Sequence, residues 1–169
     1  VNLDRQPQRL RRTFRELRRF KTSDGACLSS LARRLAAIDA LGLAKFAEAR
    51  SVLVALVDSR EPHEIQSAAV ATLGKFVDPA VADVLLAAWP RLSPQLKESA
   101  AEVLFARPDR IAALFDAIDA DCLPIADLAP ARLQVIAKSK DASLRARAEK
   151  FLAAAKPGRR QAVVDAYRD

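Results

Sequence analysis

Few side chains in this 169-residue sequence have types and spacings suited to chemistry. His63 is the only histidine, and it follows a proline at a predicted helix start with no cysteine nearby, so neither a zinc site nor a catalytic triad is predicted around it. A surface or helix-capping position is predicted instead. Asp116/Asp119 and Glu98/Glu102 have helical spacing, which places each pair on a solvated helix face, whereas acid–base catalysis needs carboxylates that face each other in a cleft.

The two cysteines and the tryptophan also predict no catalytic or binding site. Cys27 and Cys122 belong to no CxxC or CxxCH motif, so no metal site and no covalent haem site is predicted. Two buried free thiols are the simpler interpretation, and a disulfide in an oxidising compartment is the alternative. Trp89 shares a predicted helix face with Leu85 and Leu86, which favours the core over a stacking role against a base or sugar. The sequence therefore predicts no catalytic, cofactor-binding or metal-binding residue.

An internal repeat organises the chain that carries these residues. Residues 36–57 align with residues 68–89 at a shift of 32, without a gap. Each copy predicts an amphipathic helix ending in Leu-Gly, a short turn and a second apolar helix. Because one such hairpin cannot bury its apolar face alone, the repeat predicts a stack of hairpins, an α-solenoid, which typically acts through an extended surface.

The first helix of each hairpin carries a recurring pattern. An aliphatic residue is followed by Ala four positions later and by Leu eight positions later, in residues 65–73, 96–104 and 144–152. These positions share one helical face, and the Ala lets a neighbouring helix approach closely. The pattern resembles the HEAT-repeat helix. The resemblance implies a HEAT-like, right-handed α-solenoid of about four hairpins with extra helices at both ends.

Composition supports an all-α chain. Hydrophobic residues make up 51% of it and aromatic residues 5%, and no segment alternates apolar and polar residues for long enough to predict a strand. The longest run without a charged residue is the ten residues 65–74, about half of a membrane span. The predicted helices are 7–21, 27–42, 46–58, 63–76, 79–89, 94–106, 109–120, 127–138, 142–155 and 158–168. Three domains are predicted: a basic capping helix in 1–24, a HEAT-like repeat domain in 25–156 and a linker helix in 157–169.

The net charge of +7 is concentrated at one end. Residues 1–34 hold ten Lys or Arg against three Asp or Glu, whereas residues 35–169 hold 18 of each sign. Leu10, Phe14, Leu17 and Phe20 form an apolar stripe on the predicted first helix, so its arginines are either that helix's solvated side or a patch for an anion or a partner. The candidate patch consists of Arg9, Arg11, Arg12, Arg15, Arg18 and Arg19.

A second resemblance covers residues 46–152. Its most specific pieces are Asp78-Pro79-Ala80-Val81-Ala82, Trp89-Pro90-Arg91-Leu92-Ser93-Pro94 and Arg107-Pro108. The stretch is similar to the HEAT-like region of the large membrane-bound dehydrogenase or haem-binding proteins abundant in planctomycetes and their relatives. In that family a sugar-dehydrogenase-like propeller precedes the repeats and a c-type cytochrome domain follows them. The C-terminal RRQAVVDAYRD resembles the helix just ahead of that cytochrome.

This resemblance implies a function without catalysis in the chain itself. It implies the middle module of an exported, periplasmic redox protein, which spaces or docks an electron donor against its haem acceptor. Haem c is then expected only in a downstream domain, and the expected partners are flanking domains or another protein. Because the sequence starts at Val1 and contains no Met, we also expect it to be a piece of a longer chain.

The alternative function is nucleic-acid binding by a HEAT protein similar in kind to the bacterial alkylpurine DNA glycosylases. The first-helix arginines would then neutralise phosphates. A solenoid that wraps DNA should carry Lys and Arg on successive repeats, whereas the excess here lies at one end. The sequence therefore favours a scaffold for proteins.

Overall fold

The computed structural model describes residues 24–58 and 60–155, and this part of the chain contains helices and turns but no strand. The all-α class predicted from the sequence is confirmed. Two 3₁₀ turns, Trp89–Arg91 and Ile125–Asp127, interrupt the α-helices of this part. Those helices are α1 (Asp24–Leu41), α2 (Phe46–Val57), α3 (His63–Lys75), α4 (Ala80–Ala88), α5 (Pro94–Phe105), α6 (Pro108–Asp119), α7 (Pro130–Ile136) and α8 (Ala142–Ala155).

The predicted helix bounds agree with these to within three residues. Proline accounts for much of this agreement, because α5 and α6 each begin at a proline, whose missing N–H costs nothing in the first turn. The largest difference is in α7, which was predicted as 127–138: the 3₁₀ turn at Ile125–Asp127 and the restart at Pro130 shorten it. The predicted helices 7–21 and 158–168 lie outside the described residues.

The chain divides into two compact units, Val1–Val103 and Leu104–Asp169. In the first unit, α1/α2 and α3/α4 form the two copies of the 32-residue repeat. Aligned residues of the copies take equivalent places, since Leu41 and Leu73 are both fully buried and so are Leu53 and Leu85. The repeat is therefore confirmed as two equivalent helical hairpins.

Polar contacts join the two hairpins around this apolar core. The Thr72 hydroxyl on α3 donates a hydrogen bond of 3.3 Å to the backbone carbonyl of Ile38 on α1, and both residues are buried. One turn earlier on α1, Arg34 forms an ion pair of 2.5 Å with Glu61, which lies in the connection before α3. A third contact pairs Lys75 with Asp39. Helix α3 and the connection before it are thus held against α1 by one buried hydrogen bond and two ion pairs.

The glycines of the two Leu-Gly ends allow the hairpins to approach each other. A Cβ on Gly42 would lie 2.8 Å from Cδ of Lys75 and 3.4 Å from Cγ2 of Thr72, both on α3. A Cβ on Gly74 would lie 3.1 Å from Cγ2 of Val103 on α5. Each glycine therefore receives a side chain of the following hairpin at a distance that leaves little room for a methyl group.

The described residues of the second unit pack around aromatic rings. The rings of Phe115 on α6 and Phe151 on α8 meet edge to face, with centroids 5.1 Å apart. Asp121 has a φ of 54°, a left-handed conformation that turns the chain out of α6. The buried apolar residues of this unit are Leu104, Ile111, Leu114, Phe115, Ile118, Leu123, Leu128, Leu133, Leu144, Ala148 and Phe151.

Candidate interaction surface

The arginine patch predicted from the sequence lies outside the described residues. Within residues 24–155 the sequence holds 16 Lys or Arg and 17 Asp or Glu, so this part of the chain is close to neutral. A surface on the described helices must therefore recognise its partner by shape, apolar contact and local charge rather than by net charge.

The described surface is indented between α2 and α4, the second helices of the two repeats. This α2–α4 groove encloses about 170 Å³. Val57 and Val84 form its buried floor, whereas Val54 is 46% exposed on its wall. Ala87 and Ala88 complete the apolar lining. An apolar strip that the repeat leaves open to solvent is thus available between the two helices.

Charged side chains of both signs lie around this apolar strip. Helix α2 contributes Arg50 and its C-cap residue Asp58, while Asp83 lies on α4 and Arg91 in the turn that follows it. Nη1 of Arg91 and Oδ2 of Asp58 are 3.7 Å apart, and both side chains are more than one-third exposed. Because such an exposed pair contributes little to stability, these charges are free to exchange partners when a ligand enters.

The turn at the end of α2 positions one side of this frame. Nε2 of Gln66, a side chain only 7% exposed, donates a hydrogen bond of 2.7 Å to the backbone carbonyl of Asp58. The Asp58 carboxylate in turn accepts a hydrogen bond of 3.1 Å from the backbone N–H of Arg60. The backbone of Asp58 is therefore held in place by Gln66 of α3, while its side chain faces the groove.

The dimensions of the groove limit what it can hold. The eight helical steps from Arg50 to Asp58 span about 12 Å at 1.5 Å per residue. A volume of about 170 Å³ is below the range of pockets that enclose drug-sized ligands. About four residues of extended chain cover 12 Å. The groove is thus suited to an aliphatic side chain and its neighbours on a protein segment.

The residues considered above for chemistry do not form a common site in the described part of the structure. His63 is exposed at the first position of α3, which confirms its predicted surface place. Glu98 and Glu102 are exposed on α5, as predicted for a solvated face. Trp89 is 1% exposed, which confirms the core position. Among the described residues, no three His, Cys, Asp or Glu side chains come together in a metal-binding group.

The prediction of a buried Cys122 is wrong. Cys122 carries a free, exposed thiol, with Sγ 3.6 Å from the carbonyl oxygen of Ala120. The physical reason is the turn at Asp121, which directs the chain out of α6 before Leu123 returns to the core. The side chain of Cys27 lies outside the described part of the structure.

Asp116 and Asp119 are exposed, as predicted, but they are also ion-paired. Nη2 of Arg147 on α8 lies 2.8 Å from a carboxylate oxygen of each, and Nζ of Lys150 lies 2.9 Å from Oδ1 of Asp119. The Lys150 and Arg147 hydrogen bonds lower the pKa of Asp119. Burial of Arg147 opposes its charged form, but the hydrogen bonds to the two carboxylates outweigh this effect and raise its pKa. These acids fasten α6 to α8.

Two features of the site were not predicted from the sequence. The α2–α4 groove and the Asp116–Arg147–Asp119–Lys150 network both join residues that lie about 30 positions apart. The only sequence signal for the groove is the 32-residue shift itself, which places α2 and α4 in equivalent hairpins. In the described part of the chain, no helix has the length and apolarity to cross a bilayer.

Comparison with known families agrees with this architecture. Residues 29–105 match a model described as HEAT repeats. The match runs from α1 to the end of α5, so it includes both hairpins and the groove. The predicted HEAT-like α-solenoid fold class is confirmed, with a HEAT-repeat region in this part of the chain. No curated protein and no solved structure matches the chain significantly.

Proposed function

We propose that this chain is a non-catalytic HEAT-repeat scaffold that binds a protein segment in the α2–α4 groove. The observation that carries the proposal is the groove itself, where an open apolar strip is framed by two arginines and two aspartates. HEAT repeats commonly serve as interaction modules, and a stacked-hairpin domain offers extended surfaces for partners.

The groove chemistry selects a class of partner. The partially exposed Val54 offers apolar contact to an aliphatic side chain. Arg50 and Asp83 lie toward the amino-terminal ends of their helices, and Asp58 and Arg91 lie beyond the carboxyl-terminal ends. Each end therefore offers one charge of each sign. A protein segment with an aliphatic residue between charged neighbours can pair with these charges. A uniformly charged polymer is repelled by the groove charges that have its own sign.

We further propose that the partners are flanking domains of one exported, periplasmic protein. The support is the resemblance of residues 46–152 to the HEAT-like region of planctomycete-type dehydrogenase and haem-binding proteins. In this role the chain holds a dehydrogenase domain against a c-type cytochrome domain, and the haem belongs to the cytochrome. Expression of the parent reading frame in a host that attaches haem c tests this context. A pyridine haemochrome spectrum with covalent haem is expected, and its absence contradicts the context.

Binding measurements with a matched pair of variants test the groove. Val54→Glu places a charge on the exposed part of the apolar strip, while Ala71→Glu places the same charge on the exposed surface of α3, outside the groove. Titration of the chain with the separately produced flanking domains should give the same dissociation constant for wild type and Ala71→Glu. We expect at least about tenfold weaker binding for Val54→Glu, which corresponds to 1.4 kcal/mol or more. Equal binding by all three proteins would place the contact elsewhere.

Nucleic-acid binding by the arginines of residues 9–19 remains the alternative function. It predicts affinity for duplex DNA that falls steeply between about 50 and 200 mM salt. Replacement of Arg12, Arg15 and Arg19 by Gln should then reduce the salt slope as well as the affinity. No binding at low salt, or a flat salt dependence, contradicts this alternative and leaves the protein scaffold.

A further inference from the structure

The four charged residues of the α2–α4 groove alternate in sign around its corners. Arg50 lies in the first half of α2, and Asp58 is the C-cap residue of that helix. On the other wall, Asp83 lies in the first turn of α4, and Arg91 ends the 3₁₀ turn that follows α4. Because Asp58 and Arg91 are 3.7 Å apart, the carboxyl-terminal ends of the two helices lie together. The two arginines therefore occupy diagonally opposite corners, and the two aspartates occupy the other diagonal.

The chain itself already stabilises the two aspartates. Oδ1 of Asp58 accepts a hydrogen bond of 3.1 Å from the backbone N–H of Arg60. Asp83 lies in the first turn of α4, where the unpaired backbone N–H groups of a helix stabilise a carboxylate. Each aspartate therefore gains only a part of its stabilisation from a cation on a ligand.

The two arginines receive less compensation from the chain. The residues three and four positions away from Arg50 on α2 are all apolar, so no side chain at these neighbouring helix positions pairs with it. Nη1 of Arg91 is 3.7 Å from Oδ2 of Asp58, which is longer than a hydrogen bond, and the Arg91 side chain is 62% exposed. A guanidinium has five N–H donors and can bind a carboxylate through two of them. Each arginine thus gains more from an acidic ligand group than each aspartate gains from a basic one.

The distance between the two arginine corners fits a short extended segment. In the repeat alignment Arg50 corresponds to Ala82, nine residues before Arg91, so the corners are about 13 Å apart along the helices. Four residues of extended chain, at about 3.3 Å each, cover this distance. Packed helices have axes about 8–10 Å apart, so a segment along the middle of the groove lies within reach of both walls.

The alternation of an extended chain places its side chains suitably for this groove. Residues i, i+2 and i+4 of such a chain point to the same face. When residues i and i+4 lie near the two arginine corners, residue i+2 lies at the level of Val54, which is four residues after Arg50 and 46% exposed. The middle side chain therefore enters the apolar strip while the outer two approach the guanidinium groups.

We propose that the groove selects a protein segment of the pattern acidic-x-aliphatic-x-acidic. Its acidic residues pair with Arg50 and Arg91, and its aliphatic residue packs against Val54. Release of Arg91 from Asp58 costs little, because that pair is long and exposed. The inference rests on the proposed function and adds to it the sign and spacing of the partner's charges.

Titration of the full chain with three heptapeptides tests the preference. The acidic peptide is Ser-Glu-Ser-Leu-Ser-Glu-Ser, and Gln or Lys replaces both Glu residues in the neutral and the basic peptide. Amide chemical shifts of residues 50–58 and 83–91 report binding in the groove. At about 50 mM salt we expect the acidic peptide to bind at least about fivefold more tightly than the neutral one. The basic peptide should bind no more tightly than the neutral one.

Matched double variants assign the preference to the two corners. Arg50→Gln with Arg91→Gln should remove the advantage of the acidic peptide and leave the affinity for the neutral peptide unchanged. Arg33→Gln with Arg145→Gln removes the same charge from exposed positions of α1 and α8, outside the groove, and should preserve the advantage. Thermal unfolding of each variant checks that the chain remains folded.

Several results would overturn the proposal. These are equal binding of the acidic and neutral peptides in the groove, tighter binding of the basic peptide, and shifts with the acidic peptide that occur only outside residues 50–58 and 83–91. An acidic advantage that survives Arg50→Gln with Arg91→Gln would overturn it as well. The proposed function fails on a different result, which is undiminished binding of the flanking domains by Val54→Glu.

Discussion

Substitutions at Thr72, which is hydrogen-bonded to Ile38, allow the contribution of single side-chain groups to the stability of the repeat stack to be measured. Thr72→Val keeps the shape of the side chain and removes the hydroxyl, so the buried Ile38 carbonyl loses this donor. The expected loss is about 1 kcal/mol of the free energy of unfolding. Thr72→Ser keeps the hydroxyl and removes a methyl that lies in the close approach to Gly42. This change should also cost about 1 kcal/mol.

Thr72→Ala removes both groups and should cost about 2 kcal/mol if the hydroxyl and the methyl act independently. Each kcal/mol corresponds to a shift of about 2–4 °C in the melting temperature for a chain of this size. Trp89 is the only tryptophan and is 1% exposed in the same unit, so denaturant unfolding followed by its emission reports on these contacts.

The exposed neighbour Ala71 provides the matched control. Ala71→Ser should change the free energy of unfolding by no more than about 0.5 kcal/mol. Stability of Thr72→Val equal to or above that of wild type would refute the assigned role of the hydroxyl. A loss in Thr72→Ala no larger than in Thr72→Ser would refute it as well.

Two further predictions concern the ion-pair network and the repeat glycine. The pKa of Asp119 is lowered from 3.8, so its contribution to stability is present above the unfolded-state pKa and is lost as the pH falls through the folded-state pKa. Thermal unfolding followed by circular dichroism should show a steeper loss of stability for wild type than for Asp119→Asn between about pH 5 and pH 2, and parallel profiles would contradict the pairing. Gly42→Val should lower the free energy of unfolding by about 1–3 kcal/mol, because a Cβ there lies 3.2 Å from the backbone oxygen of Asp39 and 3.4 Å from Cγ2 of the buried Thr72. Leu43→Ser, at a side chain 91% exposed, should change it by less than about 0.5 kcal/mol in the same denaturant titration, and equal losses would contradict the close approach.

Most of the local structure could be predicted because it depends on signals that are local in the sequence. Pro94 and Pro108 mark helix starts, and each stands at the first position of its helix. The apolar face shared by Leu85 and Trp89 was enough to place the tryptophan in the core. The repeat shift predicted the pairing of hairpins, because equivalent apolar faces need equivalent partners.

The contacts between helices depend on information that these signals do not contain. Apolar periodicity fixes which side of α6 faces inward, but it does not fix how far α8 is displaced along it, and that displacement decides which cation reaches Asp119. The exposure of Cys122 follows from the left-handed turn at Asp121, a conformation that only a few per cent of non-glycine residues adopt. The groove likewise arises from the relative placement of two helices and not from a motif.

The central claim is that the α2–α4 groove of a non-catalytic HEAT-repeat scaffold receives a protein segment. Hydrogen exchange of the chain alone and of the same chain within its parent protein tests this most directly. We predict slower amide exchange in the parent protein for residues 50–58 and 83–91. The exchange rates of residues 63–75 of α3 should not change, except at the end of α3 that is nearest to the groove. Unchanged exchange in both groove segments, with new protection elsewhere on the described helices, would contradict the claim.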